Sequence, residues 1–443
     1  SRPAEADASL AKLTPGEREF LDQLATTPLV FPGIVLGLAL LIFYLNFKIG
    51  VYGTLTILFL AYLTRFLPYG MRYNTTSMLQ IHKELEESAM MSGSTWSTTF
   101  VSILLPLLAA ARPELRLILF ARTGADAEVL RGRVNAEPAL RGRAEVKLLR
   151  ELPTTTADVF WYPWNAIITK ARVGAMVVTL QDVAPLAMPD PRWSRWFKNA
   201  RAKWRYREVA RLATHVIAIS EFSAREAHRH LGIPYDRMTV VLDGGDFGAP
   251  PDAAGDAAAL ERLGVRGKYL LTVGAADRRK NFPMLQRAMR TVRETHPELS
   301  LVLAGPRRRG SAQDALQSWE QAVGFVSDDD LWRLYRNAEL FVFPSRYEGF
   351  GLPVIEAMRV GAPVVSTRAA SLPEVGGEAA MYVEPDDSPA MAAAILAVLA
   401  DPARQRAMRA ASVAHAARFM TWEETARQTL AVFDRAAAMA PAR

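Results

Sequence analysis

Two carboxylates, Glu348 and Glu356, bracket a glycine-bearing turn in the stretch Phe343-Pro-Ser-Arg-Tyr-Glu-Gly-Phe-Gly-Leu-Pro-Val-Ile-Glu-Ala-Met358. An apolar run precedes the turn and a helix-forming run follows it, so the segment reads as strand, loop, helix. Glycines at 349 and 351 let the backbone approach a ligand closely. Pro353 suits a first helical turn, where its missing N–H costs nothing. Free amides at such a helix N-terminus attract an anion such as a diphosphate. Glu356 then lies about one turn inside the helix, while Glu348 sits in the loop. The plainer alternative is a capped surface helix carrying two solvated acids.

Other residue types narrow the chemistry. The chain has no cysteine, which removes disulfides, a thiol nucleophile and any cysteine-based metal site. The six histidines show no ligand spacing. Asp328-Asp-Asp330 directly precedes Leu331-Trp-Arg-Leu-Tyr335 and reads as the acidic first turn of a helix. No metal and no other cofactor is expected. The formal charge of +7 is spread along the chain, and a nucleic-acid stripe would need clustering with interleaved aromatics. The nearest approach is 191–211, PRWSRWFKNARAKWRYREVAR, with helical spacing of Trp193, Trp196, Phe197 and Trp204. It reads either as a partly buried helix with a solvated basic face or as an amphipathic helix that can touch an anionic membrane or an acceptor. No nucleic-acid partner is expected.

Short apolar runs alternate with amphipathic helices from residue 115 onward, the pattern of parallel βαβ units. Strands are expected at 115–121, 159–162, 176–180 and 215–220, and again at 269–273, 299–304, 340–343 and 363–366. Between the two sets, FGAPPDAAG at 247–255 reads as a linker. Two doubly wound domains follow, with ligand expected where strand C-termini meet helix N-termini across the cleft. Ala- and Arg-rich helices over 388–440 close the structure.

The ordered set of motifs in this region resembles retaining GT-B glycosyltransferases of the family 4 type. In chain order these are Thr179-Leu-Gln-Asp-Val-Ala-Pro-Leu186, Val216-Ile-Ala-Ile-Ser-Glu-Phe-Ser223, Leu271-Thr-Val-Gly-Ala-Ala-Asp-Arg-Arg-Lys-Asn281 and Val323-Gly-Phe-Val-Ser-Asp-Asp-Asp-Leu331. The Glu348/Glu356 stretch, Gly361-Ala-Pro-Val-Val365 and Ser371-Leu-Pro-Glu-Val375 complete it. The resemblance covers about 112–438. It implies transfer of a sugar from a nucleotide-diphosphate sugar to a saccharide or lipid-linked acceptor with retention of configuration. It also implies roles. Lys280 and Arg279 would contact the diphosphate, whose departure builds negative charge that cations and preorganised amides stabilise. Gly274 and the amides of Phe350, Gly351 and Leu352 would complete the cradle. Glu348 would hydrogen-bond the donor sugar and steady the cationic anomeric carbon, Glu356 would hold the ribose hydroxyls, and Asp182 would join Glu348 and Lys280 in the catalytic set. Three departures stand out: Gln181 where many relatives have His, Ala275 where some have Arg, and no first strand with a glycine-rich loop ahead of residue 112.

The N-terminal third differs in kind. Residues 29–47, LVFPGIVLGLALLIFYLNF, are apolar, uncharged and long enough to span a bilayer, and 51–67 form a second such run. Arg65, Arg72 and Lys83 follow the second run, which places that end and the N-terminus in the cytoplasm. The segment 84–106 pairs Glu87-Ser-Ala89 with Gly93 and Ile103-Leu-Leu105-Pro106. It resembles the cytoplasmic coupling loop of binding-protein-dependent ABC importer permeases of the iron-importer type. That resemblance implies that Gly93 permits the turn and Glu87 faces an ATPase subunit.

The expected architecture is therefore α/β GT-B, two Rossmann-like domains facing a cleft, preceded by an all-α transmembrane segment. Its parts are an N-terminal cytoplasmic segment (1–28), a permease-like hairpin and coupling loop (29–110), a truncated acceptor-side domain (111–246), a linker (247–267) and a nucleotide-sugar-binding domain with closing helices (268–443). The primary reading is a glycosyltransferase tethered to the bacterial inner membrane with its catalytic part in the cytoplasm. The alternatives are a permease component of an ABC importer and a non-functional chimera of the two.

Overall fold

The computed structural model describes residues 100–169, 174–190, 196–246, 250–274, 277–305 and 316–439. The two expected membrane spans and the coupling-loop residues Glu87 and Gly93 lie outside these. So does the place where a first strand and glycine-rich loop would stand. Among the described residues no helix is long and apolar enough to cross a membrane.

Among the described residues every strand pairing is parallel. In the N-terminal domain β1 (Leu117–Ala121) pairs with β2 (Ala144–Leu148). A four-stranded sheet runs β3 (Val159–Tyr162), β4 (Ala175–Leu180), β5 (His215–Ala218), β6 (Met238–Val240) in spatial order. The C-terminal domain holds β7 (Tyr269–Val273), β8 (Ser300–Ala304), β9 (Glu320–Gly324), β10 (Leu340–Phe343), β11 (Val364–Thr367) and β12 (Ala380–Val383), ordered β12-β11-β10-β7-β8-β9. Helices cover these sheets, so the inner strands are buried on both faces and read as continuous apolar runs. Leu270, Leu271, Leu301, Val302, Phe341 and Val342 are all buried. The strands not foreseen are β2, β6, β9 and β12. All four lie at sheet edges, where half-exposed sequences such as AEVKL, EQAVG and AMYV lose the apolar signature.

The helices, in chain order, are α1 (Leu105–Ala111), α2 (Gly124–Ala136), α3 (Ala184–Ala187), α4 (Trp196–Leu212), α5 (Glu221–Leu231), α6 (Asp256–Arg262) and α7 (Phe282–Thr295). They continue with α8 (Asp328–Asn337), α9 (Leu352–Arg359), α10 (Leu372–Gly376), α11 (Ser388–Leu399), α12 (Pro402–Ala416) and α13 (Trp422–Met439).

Two expectations change. Residues 103–106, read as the end of a coupling loop, belong to the packed core of the N-terminal domain. Leu104, Leu105, Leu108 and Ala109 are buried with Trp422, Ala426 and Leu430 of α13. Arg112 then closes a two-pronged ion pair on Asp434 at 2.7 and 2.6 Å. An apolar stretch too short to span a bilayer is long enough for two buried helical turns. The supposed linker at 247–267 contains α6, whose buried Asp256 accepts from Arg333 at 2.9 Å, Arg336 at 3.0 Å and Asn337 at 2.7 Å. Proline and glycine at 250–255 delay that helix without removing it. As expected, 328–330 open a helix: the Ser327 hydroxyl caps α8 by accepting from the Asp330 amide.

Candidate active site

The strand order of the C-terminal sheet locates the site. From β7 the chain proceeds outward through β8 to β9, then returns to the other side of β7 and proceeds through β10 and β11 to β12. The order reverses between β7 and β10, and ligands of open α/β sheets bind outside the strand C-termini at such a reversal. The loop after β7 carries Gly274, Arg279 and Lys280; the loop after β10 carries Glu348 to Gly351. The two loops are tied together. The Arg346 amide donates to the Arg279 carbonyl at 2.7 Å, and the Ser345 hydroxyl oxygen lies 3.0 Å from the same carbonyl.

Local conformation shapes both loops. Gly274 leaves β7 with φ 76° and returns its amide to Ala304, a backbone state that L side chains rarely adopt. Asp277 caps the turn Arg278–Lys280 by accepting from the Arg279 amide at 2.8 Å. Gly351, at φ 109°, is the N-cap of α9. Pro353 brings no N–H and the Val354 amide donates to the Gly351 carbonyl at 2.9 Å, so of the first three helical positions only Leu352 has an amide without an intrahelical acceptor. The Phe350 side chain is core, and its carbonyl accepts from the Ser371 hydroxyl at 2.5 Å.

Every expected donor-site charge is held by a partner. Lys280 Nζ lies 2.9 Å from Glu348 Oε1, and both side chains are largely buried. The same ammonium sits 4.5 Å from the Phe343 ring centroid, a favourable cation–π placement. The Ser345 hydroxyl donates to Glu348 Oε1. Arg279 reaches Asp277 through Nε and a terminal nitrogen at 2.9 and 2.7 Å, and Asp182 through the other at 3.1 Å. Burial opposes the Arg279 charge, but Asp182 and Asp277 outweigh it and hold the guanidinium above its ordinary range. Burial likewise opposes the Asp277 charge, and Arg279 overrides it, keeping that carboxyl below its ordinary range.

Glu356 stands apart from this cluster. It is buried in α9, and its Oε2 accepts from the Tyr335 hydroxyl at 3.0 Å. Burial pushes its carboxyl up to about 7, against the lowering effect of Tyr335.

The N-terminal domain contributes the loops after β4 and β5. Asn165 Oδ1 accepts from the amides of Gln181 and Asp182 at 2.6 and 3.4 Å, and the Tyr206 hydroxyl donates to the Asp182 carbonyl at 3.1 Å. The Gln181 side-chain amide nitrogen is buried without a hydrogen-bond partner. Four further hydrogen bonds join the domains. The Gly349 carbonyl accepts from the Ser220 and Ser223 hydroxyls at 2.6 and 3.0 Å. The Glu374 carboxylate accepts from the amides of Glu221 and Phe222, at the start of α5, at 2.8 and 3.2 Å. A Cβ built on Gly349 would meet the Gln181 carbonyl oxygen at 1.8 Å, so only glycine permits this approach.

The sequence named the charged residues and missed most of what holds them. Asn165, Ser345, Tyr335 and Asp277 are ordinary polar residues whose roles depend on distant partners. Glu374 lies in a quoted motif, and its use as a cap for another domain's helix had no local signal. Among the described residues no group of three or more His, Asp or Glu is placed to hold a metal. Glu87 and Gly93 lie outside the described residues.

Comparison with known proteins agrees with this architecture. Residues 100–247 match the family described as Glycosyltransferase Family 4, and residues 267–401 match Glycosyl transferases group 1. Neither match reaches residues 1–99, and no comparison supports the permease-like reading. The O-antigen chain mannosyltransferase B of Escherichia coli is 35% identical over 58% of this chain and 70% of its own length. The serotype-specific mannosyltransferase WbdA of Escherichia coli is 30% identical over 58% of this chain and 33% of its own length, so the chain spans about a third of that relative. Among solved structures, a glycosyltransferase from Rickettsia africae superposes with a TM-score of 0.57 at 14% identity, covering 77% of this chain and 95% of that one. The chain belongs to this glycosyltransferase family, with the GT-B fold, and is a hexosyltransferase-type enzyme.

Proposed function

We propose that the enzyme transfers a mannosyl group from a nucleotide-diphosphate mannose to a saccharide acceptor, free or lipid-linked, with retention of configuration. The observation that carries the donor reading is the placement of Arg279 and Lys280 at the strand-order reversal, beside the glycine turn and the Leu352 amide that open α9, and opposite Asp182. Those cations and amides would take the diphosphate and the negative charge it gains on leaving. Glu348, already hydrogen-bonded by Ser345 and Lys280, would turn to the donor sugar hydroxyls and steady the anomeric centre. Glu356 would receive the ribose hydroxyls. In this scheme the side-chain cations meet the diphosphate without a metal. Mannose is favoured by the names of the two mannosyltransferase relatives. Retention rests on the family resemblance, with the acceptor attacking the face the diphosphate leaves.

Use of a nucleotide sugar favours a cytoplasmic site, and tethering through the apolar runs at 29–47 and 51–67 is part of the same proposal. Carbonate extraction of expressing cells tests the tether. The transfer itself is tested by offering the purified chain GDP-mannose and UDP-glucose with oligomannoside acceptors and determining the anomeric configuration of any product. Mannosyl transfer with an α-linkage supports the reading. Glucosyl transfer alone would remove mannose from it, and a β-linked mannoside would remove retention.

A further inference from the structure

One surface of the N-terminal domain is used by neither the fold nor the proposed chemistry. Helix α4 buries Tyr206 and Val209 against the domain. Its opposite side exposes three large aromatics: Trp196 at 60%, Phe197 at 79% and Trp204 at 62% exposed. A helix brings positions three, four and seven apart onto one face. Phe197, Ala200, Arg201, Trp204, Arg207 and Arg211 therefore form one outward stripe, and all six are exposed. Lys198, Lys203 and Arg205 are exposed on the flanks. The one acid in the helix, Glu208, is engaged by Arg211 at 3.0 Å.

We propose that this outward face of α4 docks on an anionic lipid surface. Exposed tryptophan and phenylalanine on an otherwise strongly basic helix match the two requirements of interfacial binding. The aromatics enter the headgroup level while arginine and lysine meet lipid phosphate. A single-stranded nucleic acid is the other polyanion with a use for aromatics, but it binds in a basic groove along which bases stack in succession. Here the stripe is convex, and the adjacent rings of Trp196 and Phe197 are edge-packed on each other at 4.7 Å and 73°.

The inner side of the same helix gives the surface its relevance. Tyr206 on that side donates to the Asp182 carbonyl, so a lipid surface on the outer face would lie about one helix diameter, ~10 Å, from the Asp182 edge of the cleft. The inference stands independently of which sugar is transferred.

The chain lacks cysteine, so an Ala200→Cys variant of the full chain carries an environment-sensitive fluorophore at one place, in the middle of the stripe. The label reads local insertion whatever residues 1–99 do. A blue shift is expected with vesicles of phosphatidylglycerol and phosphatidylcholine in equal parts. No shift is expected with phosphatidylcholine alone, and high salt should reverse the effect. Adding Arg201→Glu, Lys203→Glu and Arg207→Glu should weaken the response at least about tenfold. Melting temperature and turnover of a water-soluble acceptor should stay near those of the parent, because all three side chains are exposed. Equal shifts on both vesicle types, or none on either, would overturn the proposal. A shift with poly(U) RNA and none with vesicles would replace it with a nucleic-acid surface.

Discussion

Arg279 of the C-terminal domain holds Asp182 of the N-terminal domain at 3.1 Å, so the cation expected to meet the donor diphosphate is tied to a carboxylate across the cleft. Asp277 holds the same guanidinium from its own loop. With no donor bound, the positive charge of the site is thus largely neutralised. In the proposed binding mode a diphosphate would share Arg279 with Asp182, and both domains would sense its arrival.

This relationship predicts a split between kinetic constants. Asp182→Asn frees Arg279 from its cross-domain partner, so the donor KM should stay level or fall, while kcat falls about 100-fold if Asp182 serves the transition state. Arg279→Ala should raise the donor KM at least about tenfold. Initial rates over a donor series measure both. An Asp182→Asn enzyme that loses only donor affinity, with kcat intact, would remove Asp182 from the catalytic set.

Lys280 and Glu348 form a second pair that is largely buried. Removing one member of such a pair leaves the other charge without compensation, which costs several kcal/mol. Lys280→Ala should therefore destabilise the unliganded protein and lower kcat/KM by about 100-fold or more. Lys280→Met combined with Glu348→Gln removes both charges, and its melting temperature should recover while activity stays lost. Activity that returned with stability would show that the pair is structural only.

How legible this was depended on the range of the interaction. The inner strands announced themselves because burial on both faces leaves apolar runs such as Tyr269–Val273 and Leu340–Phe343. The glycine turn with Glu348 was legible because strand, loop and helix follow one another locally. By contrast, the Glu374 carboxylate caps α5 from another domain, and the Asp256 carboxylate meets Arg333, Arg336 and Asn337 far along the chain. Nothing near Glu374 or Asp256 in sequence encodes those meetings. Residues 103–106 misled for a related reason. An apolar helix fits either a coupling loop or a core, and only its packing on Trp422 and Leu430 of α13 decides.

Glu356 gives a pH dependence with a definite sign. Its ordinary value is 4.5, and burial raises it to about 7 in the folded protein. The buried Asp243 moves in the same direction, from 3.8 to about 7. Between these values the unfolded chain has released protons that the folded protein keeps, so stability falls as pH rises through this window. The stabilisation is fully present below the unfolded values and lost by about pH 7; Glu356 alone accounts for on the order of 3 kcal/mol. Chemical denaturation of Glu356→Gln from pH 4.5 to 8 should show a flatter profile than the parent. Donor affinity should move oppositely, strengthening as pH rises through about 7, because the ionised carboxylate is the better acceptor for ribose hydroxyls. An unchanged stability slope in Glu356→Gln would show that another group carries it.

Gly349 tests whether the observed approach of the two domains belongs to the catalytic cycle. Its backbone is not in the left-handed region, so alanine carries no conformational penalty there, and the obstacle is the Gln181–Asp182 segment: the Gln181 carbonyl oxygen and carbon lie 1.8 and 2.9 Å from the added Cβ and the Asp182 Cβ lies at 3.0 Å. That obstacle is rigid backbone, so Gly349→Ala must push the β4 and β10 loops apart. The push strains the Ser220 and Ser223 bonds to the Gly349 carbonyl and the Glu374 cap on α5, both of which need the present spacing. Each domain keeps its own core, so the melting temperature should drop by only a few degrees, while kcat should fall at least about tenfold because a small misplacement of reacting groups is costly. Small-angle scattering should report a larger radius of gyration for Gly349→Ala than for the parent, and Glu374→Gln should move both readouts the same way to a lesser extent. A Gly349→Ala enzyme with parental kcat and parental dimensions would show that the two domains do not need this contact to react.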